Sequence, residues 1–141
     1  MSSLFAIPPH LLPAIIGIVY PMIESAAEYS VGKYEGKDIL KLIIDGKFQL
    51  WGAVEGEKIN GIAITEIVDY PRVKMCRFLC ATGENLSEWM PLIKDIEAWA
   101  VSKGCKSFQA ECRPGWERLL KPYGYEKSHI IMNKELDHVS Q

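Results

Sequence analysis

Cysteine and histidine are the residue types in this sequence that could carry nucleophilic or metal chemistry. The cysteines stand at positions 76, 80, 105 and 112, and none of them forms a Cys-x-x-Cys pair. His10, His129 and His138 have no partner at zinc-ligand or triad spacing. A thiol nucleophile would need a nearby histidine, which the sequence does not place. We therefore predict buried, reduced thiols and no metal site.

The composition is that of one ordinary globular domain. The chain has 141 residues, of which 48% are hydrophobic and 24% charged. Its 16 basic and 18 acidic residues give a formal net charge of -2. This balance excludes a strongly basic nucleic-acid-binding protein and an acidic disordered chain. We expect no nucleic-acid partner.

One long apolar stretch lies near the N-terminus, at residues 11–23. It contains Pro13, Gly17 and Pro21, and it is shorter than the roughly 20 residues that a membrane-spanning helix needs. No basic segment precedes it and no clear small-residue cleavage site follows it. We expect no membrane association and a location in the cytoplasm, or in an assembly formed there.

The first half of the chain predicts two helices followed by three strands. Apolar spacing indicates helices over residues 11–29 and 36–45, the second of which ends at Gly46. Strands are predicted over residues 48–54, 59–68 and 73–81, with polar turns between them. Strict alternation in the third strand places two sets of side chains on opposite faces: Val73, Met75, Arg77, Leu79 and Ala81 on one, and Lys74, Cys76, Phe78 and Cys80 on the other.

The second half predicts a long helix, a strand, a short helix and a last strand. Asn85 and Glu88 form a capping pair, and Pro91 predicts a separate or kinked first turn. The buried face of this helix is predicted to comprise Leu86, Trp89, Ile93, Ile96 and Ala100, and the helix ends at Gly104. A strand follows with alternation from residue 108 to 112, then a short helix over 116–121 ended by Gly124, and a strand over 126–136. This order predicts an α+β fold, with a mostly antiparallel sheet flanked by helices and one helical crossover.

Two segments and the element order resemble the GNAT superfamily of acetyl-CoA-dependent N-acyltransferases. Residues 116–125, with the sequence WERLLKPYGY, resemble the family's aromatic-Glu-Lys-Leu-Gly-Phe ending. Residues 98–105 resemble the close of its central helix, with Ala100 four residues before Gly104. The resemblance implies a single GNAT-like domain over residues 1–141 with a twisted central sheet. Residues 34–136 form its recognisable core, and residues 1–33 form a helical extension or a variable first helix.

The resemblance also implies where acetyl-CoA would bind. The family holds the pyrophosphate with Arg or Gln, two residues, Gly, one residue and Gly, because the phosphates approach bare backbone N–H groups at a helix start. Here those positions hold Glu84, Ser87 and Trp89. An indole blocks the approach and a glutamate repels a polyanion, so no cofactor is expected unless the remaining slot suffices. In that case the implied cofactor-binding residues are Leu79, Cys80, Ala81, Thr82 and Gly83.

The catalytic groups that the resemblance implies are only partly present. Many members use a tyrosine four residues before the glycine of the C-terminal ending, where this chain has Leu120. Tyr123, one residue before the glycine, is the remaining candidate acid. The family's base is often a glutamate on the fourth strand, but residues 73–81 contain no carboxylate, so Glu66 and Glu111 are the nearest substitutes.

Two functions follow as expectations. The first is a catalytically degenerate GNAT-like protein that serves as a structural or interaction component, similar to short GNAT-like proteins of tailed bacteriophages, including virion components. The second is an active acetyl-CoA-dependent N-acetyltransferase that acts on a small-molecule or protein amine. For the first function we expect protein partners, either phage structural proteins or a second copy of this chain. The predicted interface residues are Trp116, Arg113, Arg118 and Lys121.

Overall fold

A five-stranded sheet with helices on both faces organises the chain. The computed structural model describes residues 2–30, 32–83, 90–112 and 115–136. The strands are β1 (Ser2–Ile7), β2 (Phe48–Glu55), β3 (Lys58–Asp69), β4 (Lys74–Gly83) and β5 (Ser107–Ala110), and they lie in that order in the sheet. Strands β1 to β4 pair with one another in antiparallel order, and β5 is parallel to β4. This confirms the predicted α+β fold with one parallel crossover.

The helices are α1 (Leu12–Glu28), α2 (Gly36–Ile44), α3 (Ile93–Ser102) and α4 (Gly115–Leu120). All four were predicted, the first three from apolar spacing and α4 from its position between a turn and Gly124. Pro91 lies in a 3-10 turn over Met90–Leu92, so α3 itself begins at Ile93. The predicted cap at Asn85 and the predicted buried positions Leu86 and Trp89 lie outside the described residues.

The two ends of the chain differ from the prediction. Residues 1–33 are predicted to form a helical extension or a variable first helix, whereas residues 2–7 form β1, which pairs along its length with β2. The predicted last strand is wrong, because residues 126–136 carry no helix or strand and every one of them is exposed. The physical reason is pairing. The short apolar segment of β1 finds the open edge of β2, but the apolar run of residues 130–132 has no pairing partner among the described strands.

The two faces of the sheet build two hydrophobic clusters. The α1-side cluster packs α1 and α2 against residues such as Leu50, Ile62 and Ile64. The α3-side cluster packs α3 and α4 against the other face, where Trp51 meets the ring of Trp99 at a centroid distance of 5.3 Å. Side chains of a strand alternate between these clusters, so membership in a cluster identifies the face on which a residue lies.

The most apolar of the described helices is α1, which packs on the α1-side cluster. The stretch Pro9–Glu28 is long and apolar enough, by length and composition alone, to cross a membrane. In the structure α1 contacts β3 and β4, and Val19 and Ile23 are fully buried there. These contacts are those of a helix that packs one of its faces on a sheet, and 22% of the apolar stretch is buried.

Candidate functional site

A β-bulge interrupts β4 at Leu79. Ile64 of β3 pairs with Cys80, and the next residue, Thr65, pairs with Phe78, so Leu79 has no partner opposite it. Phe78 belongs to the α3-side cluster, whereas Leu79 and Cys80 both pack against the α1-side cluster. The predicted alternation of β4 holds as far as Leu79 and is wrong from Cys80 onward, because the extra residue reverses the faces of the side chains that follow.

The pairing between β4 and β5 ends beside the bulge. Their pairing runs from Met75 opposite Ser107 to Phe78 opposite Ala110, and the N–H of Glu111 then donates to the carbonyl of Phe78 at 3.3 Å. The described residues give β4 no partner on this side from Leu79 to the strand end at Gly83. The main-chain donors and acceptors on this side of β4 therefore have no strand partner among the described residues, and we call the space beside them, where the pairing with β5 has ended, the gap.

The residues along this gap are either small or anchored by contacts with other parts of the fold. Thr82 is buried, and its hydroxyl donates to the carbonyl of Met22 in α1 at 3.2 Å. Gly83 has a φ of 137°, and a Cβ on it would lie 2.4 Å from the carbonyl oxygen of Asn60. Only glycine fits that position. The five residues predicted for cofactor binding are the consecutive residues 79–83 along this side of β4, and their role in binding stays a prediction.

A cluster of charged side chains lies at the closed end of the gap. The Arg77 guanidinium bonds Glu66 at 3.4 Å (Nη1 to Oε1) and Glu111 at 2.5 Å (Nη2 to Oε2). Lys33, in the loop between α1 and α2, adds a bond from its Nζ to the other oxygen of Glu111 at 3.1 Å. We call these four residues the Arg77 cluster. Arg77 immediately precedes the last β4–β5 rung, and Glu111 immediately follows it.

The Arg77 cluster joins the two carboxylates that the sequence predicted separately. Sequence reasoning did not foresee that Arg77 would hold both, although the predicted meander could have indicated it, since Glu66 pairs with Arg77 across β3 and β4. The side chains of Glu66, Arg77 and Glu111 are between 25% and 30% exposed. The buried Nε of Arg77 makes no hydrogen bond within the described structure. The guanidinium thus acts as a bridge between two strands and the end of a third.

Tyr123, the candidate acid, lies on the opposite face of the sheet. It packs against the α3-side cluster and lines a depression of about 340 Å³ with Phe108, Tyr125 and Glu97. The hydroxyl of Tyr125 donates to Glu97, and burial, followed by this hydrogen bond, raises the pKa of Tyr125 well above its usual range. The structure therefore brings Glu66 and Glu111 together and does not bring Tyr123 to them.

The predicted interface residues also separate. Trp116 is only 8% exposed and packs against Phe78, with ring centroids 6.1 Å apart. Its prediction as a surface anchor needs correction, because α4 turns the indole into the α3-side cluster. Arg118 and Lys121 are exposed, and Arg113 lies outside the described residues.

The thiols occupy different environments and are all free. Cys76 is fully buried, and burial raises its pKa to about 12. Burial raises the pKa of Cys80 to about 12 as well. The prediction of buried thiols is confirmed for Cys76 and wrong for Cys112, which is exposed beyond the end of β5. Within the described ranges, no three His, Cys, Asp or Glu side chains come close enough to hold a metal ion.

Comparison with known proteins identifies the fold. An aminoglycoside acetyltransferase from an uncultured soil metagenomic sample, solved with sisomicin, superposes with a TM-score of 0.68 at 13% identity, covering 96% of this chain and 97% of that one. A predicted acetyltransferase from Clostridium acetobutylicum, solved with acetyl-CoA, gives a TM-score of 0.67 at 11% identity, with 96% of each chain covered. The chain has the GNAT acetyltransferase fold.

A third structure extends this likeness to almost the whole chain. A ribosomal-protein-alanine N-acetyltransferase from Brucella melitensis biovar Abortus 2308 has a TM-score of 0.66 at 11% identity, covering 99% of this chain and 100% of that one. No family model and no curated protein matches the sequence. At these identities the GNAT fold is what the likeness establishes. The likeness therefore assigns no role to the bulge, the gap or the Arg77 cluster.

Proposed function

We propose that this chain is a catalytically degenerate GNAT-fold protein that serves as a structural or interaction component. The observation that carries the proposal is the separation of the candidate catalytic groups by the sheet. Tyr123 packs on the α3-side face, whereas Glu66 and Glu111 belong to the α1-side face. A general acid and a general base must both reach one reacting centre, and these residues do not share one.

The state of the two carboxylates supports the same proposal. Glu66 and Glu111 are both bonded to Arg77, and Glu111 also holds Lys33. A carboxylate that took a proton from an amine would give up these ion pairs. The position at which the resemblance implies a catalytic tyrosine is Leu120, which is 3% exposed inside the α3-side cluster. Each candidate group therefore has a packing or bridging role that accounts for it.

The gap beside β4 still suits the arm of acetyl-CoA. The main-chain groups of residues 79–83 would hold the amide-bearing arm as an added strand holds to a sheet edge, and the bound thioester would supply an activated acetyl group. The pyrophosphate end would fall on residues 84–89, which lie outside the described residues. There the sequence offers Glu84, Ser87 and Trp89 in place of the basic residue and the glycines. Residues 79–83 thus favour binding of the amide-bearing arm, whereas the residue types at 84–89 disfavour binding of the pyrophosphate.

Calorimetric titration with acetyl-CoA tests this proposal. We expect weak binding or none. The triple substitution Glu84→Gln, Ser87→Gly and Trp89→Gly, which restores the family's loop, is expected to raise the affinity at least ~10-fold, or about 1.4 kcal/mol. Micromolar binding by the unmodified chain would stabilise it by ~2.7 kcal/mol at hundredfold excess. That result, together with acetyl transfer to an amine, would overturn the proposal.

The second candidate function is an active N-acetyltransferase that acts on a small-molecule or protein amine. The observation that favours it is the position of Glu111, which lies at the closed end of the gap and already accepts a bond from the ammonium of Lys33. An acceptor amine could bind the same carboxylate. The test is release of coenzyme A thiol with polyamine, aminoglycoside and lysine-peptide acceptors. An active enzyme should lose this release on Glu111→Gln and keep it on Glu57→Gln, a substitution in an exposed turn.

The tailed-phage virion is the assembly that we propose for the degenerate protein. This part of the proposal is supported by the resemblance in chain size and by the altered loop at residues 84–89. Immunodetection of the chain in purified virus particles tests it. Its presence at a fixed copy number per particle is the expected result, and its restriction to the soluble fraction of infected cells would contradict it.

A further inference from the structure

The C-terminal segment, residues 126–136, contains four exposed large apolar side chains within eleven residues. Ile130 is 65% exposed, Ile131 59%, Met132 85% and Leu136 78%. Single exposed apolar residues are common, but a contiguous group usually marks an interaction surface. No backbone hydrogen bond joins this segment to the rest of the described chain. The segment was predicted to be a strand, but it pairs with none of the described strands.

The sequence of this segment is complementary to itself when it is read in the opposite direction. In an antiparallel pair of two such segments, centred on Ile131, Lys127 of one copy stands opposite Glu135 of the other. In the same register Ile130 stands opposite Met132, and Ile131 stands opposite itself. Opposite charges and apolar pairs directly across a strand pair are stabilising, and like charges are not. A shift of one residue to the register that is centred between Ile130 and Ile131 places Lys127 opposite Lys134, which is unfavourable.

Pairing within one chain offers this segment much less. Tyr125, just before it, packs on Phe108 of β5, with ring centroids 5.8 Å apart. An antiparallel course from that point would meet only Phe108 and Ser107 before β5 begins. Two rungs would leave the apolar run of the segment uncovered. A second copy of the segment, by contrast, offers a backbone partner to all eleven residues and includes the Lys127–Glu135 and Ile130–Met132 pairs.

We propose that residues 126–136 pair with the same segment of a second copy to form an antiparallel, two-fold symmetric β-ribbon. The contact is isologous, as in most homodimers, because each surface is its own partner. It sets the apolar side chains of the two copies side by side and pairs the exposed backbone groups of both chains. A two-stranded ribbon is only marginally stable by itself, so we expect a weak dimer. The proposal is independent of acetyl-CoA binding.

Sedimentation equilibrium over a wide range of protein concentration tests the ribbon. The unmodified chain should show a monomer–dimer equilibrium. Lys127→Glu places like charges opposite each other twice per dimer and should raise the dimer Kd about 10-fold. The double variant Lys127→Glu/Glu135→Lys should restore the original Kd, because the charge pair is only exchanged. Met132→Lys should weaken the dimer further.

Control variants keep the test specific. Val101 on α3 is 70% exposed, and Val101→Lys should leave the dimer unchanged. Circular dichroism should show that every variant is folded. The proposal is overturned if the chain is monomeric at every concentration, if Lys127→Glu has no effect, if the charge exchange fails to restore the dimer, or if Val101→Lys weakens it as much as Met132→Lys does.

Discussion

Arg77 is the residue on which the charged cluster depends. Its guanidinium holds Glu66 and Glu111, whose side chains are 28% and 30% exposed. Replacing Arg77 by methionine keeps the length of the side chain but leaves two partly buried carboxylates without their cation. We expect a loss of ~1–3 kcal/mol in the free energy of unfolding, measured with urea.

Arg72 provides the matched control for Arg77. It is exposed in the turn between β3 and β4, and Arg72→Met should change stability by less than ~0.5 kcal/mol. If Arg77→Met were as mild as the control, the cluster would be a surface ion pair of little consequence. Adding Glu111→Gln to Arg77→Met should recover part of the loss, since it removes one of the two unpaired charges.

The raised pKa values of Cys76, which is buried, and Cys80, which is partly buried, predict a loss of stability at alkaline pH. Burial raises both pKa values from 9.0 to about 12. An unfolded chain releases these protons first, so the stabilisation is complete below pH ~9 and is lost as the pH rises towards ~12. Each thiol contributes a slope of at most ~1.4 kcal/mol per pH unit.

Urea unfolding at several pH values between ~8 and ~11 measures this slope. The variant Cys80→Ala should show a shallower decline than the unmodified chain, because one raised pKa is gone. Cys112→Ala is the control. Since Cys112 is exposed, its removal should change the slope less. Equal slopes in all three proteins would contradict the assignment of the decline to buried thiols.

At the scale of elements, the end of β4 depends on glycine. Gly83 has a φ of 137°, and an added methyl group would meet the backbone of Asn60 and Gly61 at 2.4 Å. We expect Gly83→Ala to destabilise the protein by ~1–3 kcal/mol and to disturb the open edge beside the gap. Thermal unfolding measures the first effect, and amide hydrogen exchange along residues 79–83 measures the second.

Gly17 in α1 is the opposite case and serves as the control. A Cβ at this position would meet nothing within 4 Å, and helix interiors favour alanine over glycine. Gly17→Ala should therefore stabilise the protein by ~0.5–1 kcal/mol. A similar destabilisation by both substitutions would mean that backbone strain at Gly83 is not the cause.

At the scale of the whole molecule, the two hydrophobic clusters should stay folded when the C-terminal segment is removed. All of residues 126–136 are exposed, so a chain that ends at Glu126 should keep the free energy of unfolding of the monomer within ~0.5 kcal/mol. A chain that ends before Trp116 should not fold stably, because Trp116 and Leu120 are buried in the α3-side cluster. Comparing the two truncations at low protein concentration by urea unfolding checks this.

The GNAT fold is a scaffold, and a few residues on it decide which chemistry it supports. The gap between β4 and β5 follows from strand pairing alone. Whether the gap serves acetyl transfer depends on Glu66, Glu111, Tyr123 and the loop over residues 84–89. In the proposed degenerate protein, the same frame presents surfaces to partners, and the C-terminal segment is the one best suited to a second copy.

The sequence by itself determined the elements whose residues repeat with a clear period. Helix α2, the meander of β2, β3 and β4, and α3 after Pro91 were all predicted within a few residues. Local propensity and amphipathic spacing are properties of neighbouring residues, so they can be read along the chain. The ending at residues 116–125 added the GNAT resemblance, which the structural comparison supports at the level of the fold.

Only the tertiary structure decided how distant residues combine. The bulge at Leu79 depends on the register between β3 and β4, and the Arg77 cluster depends on contacts between residues as far apart as Lys33 and Glu111. The same holds for the burial of Trp116 and for the unpaired segment at residues 126–136. A side chain's face and a strand's partner are set by long-range packing, because one residue of register shift moves every later side chain to the other face.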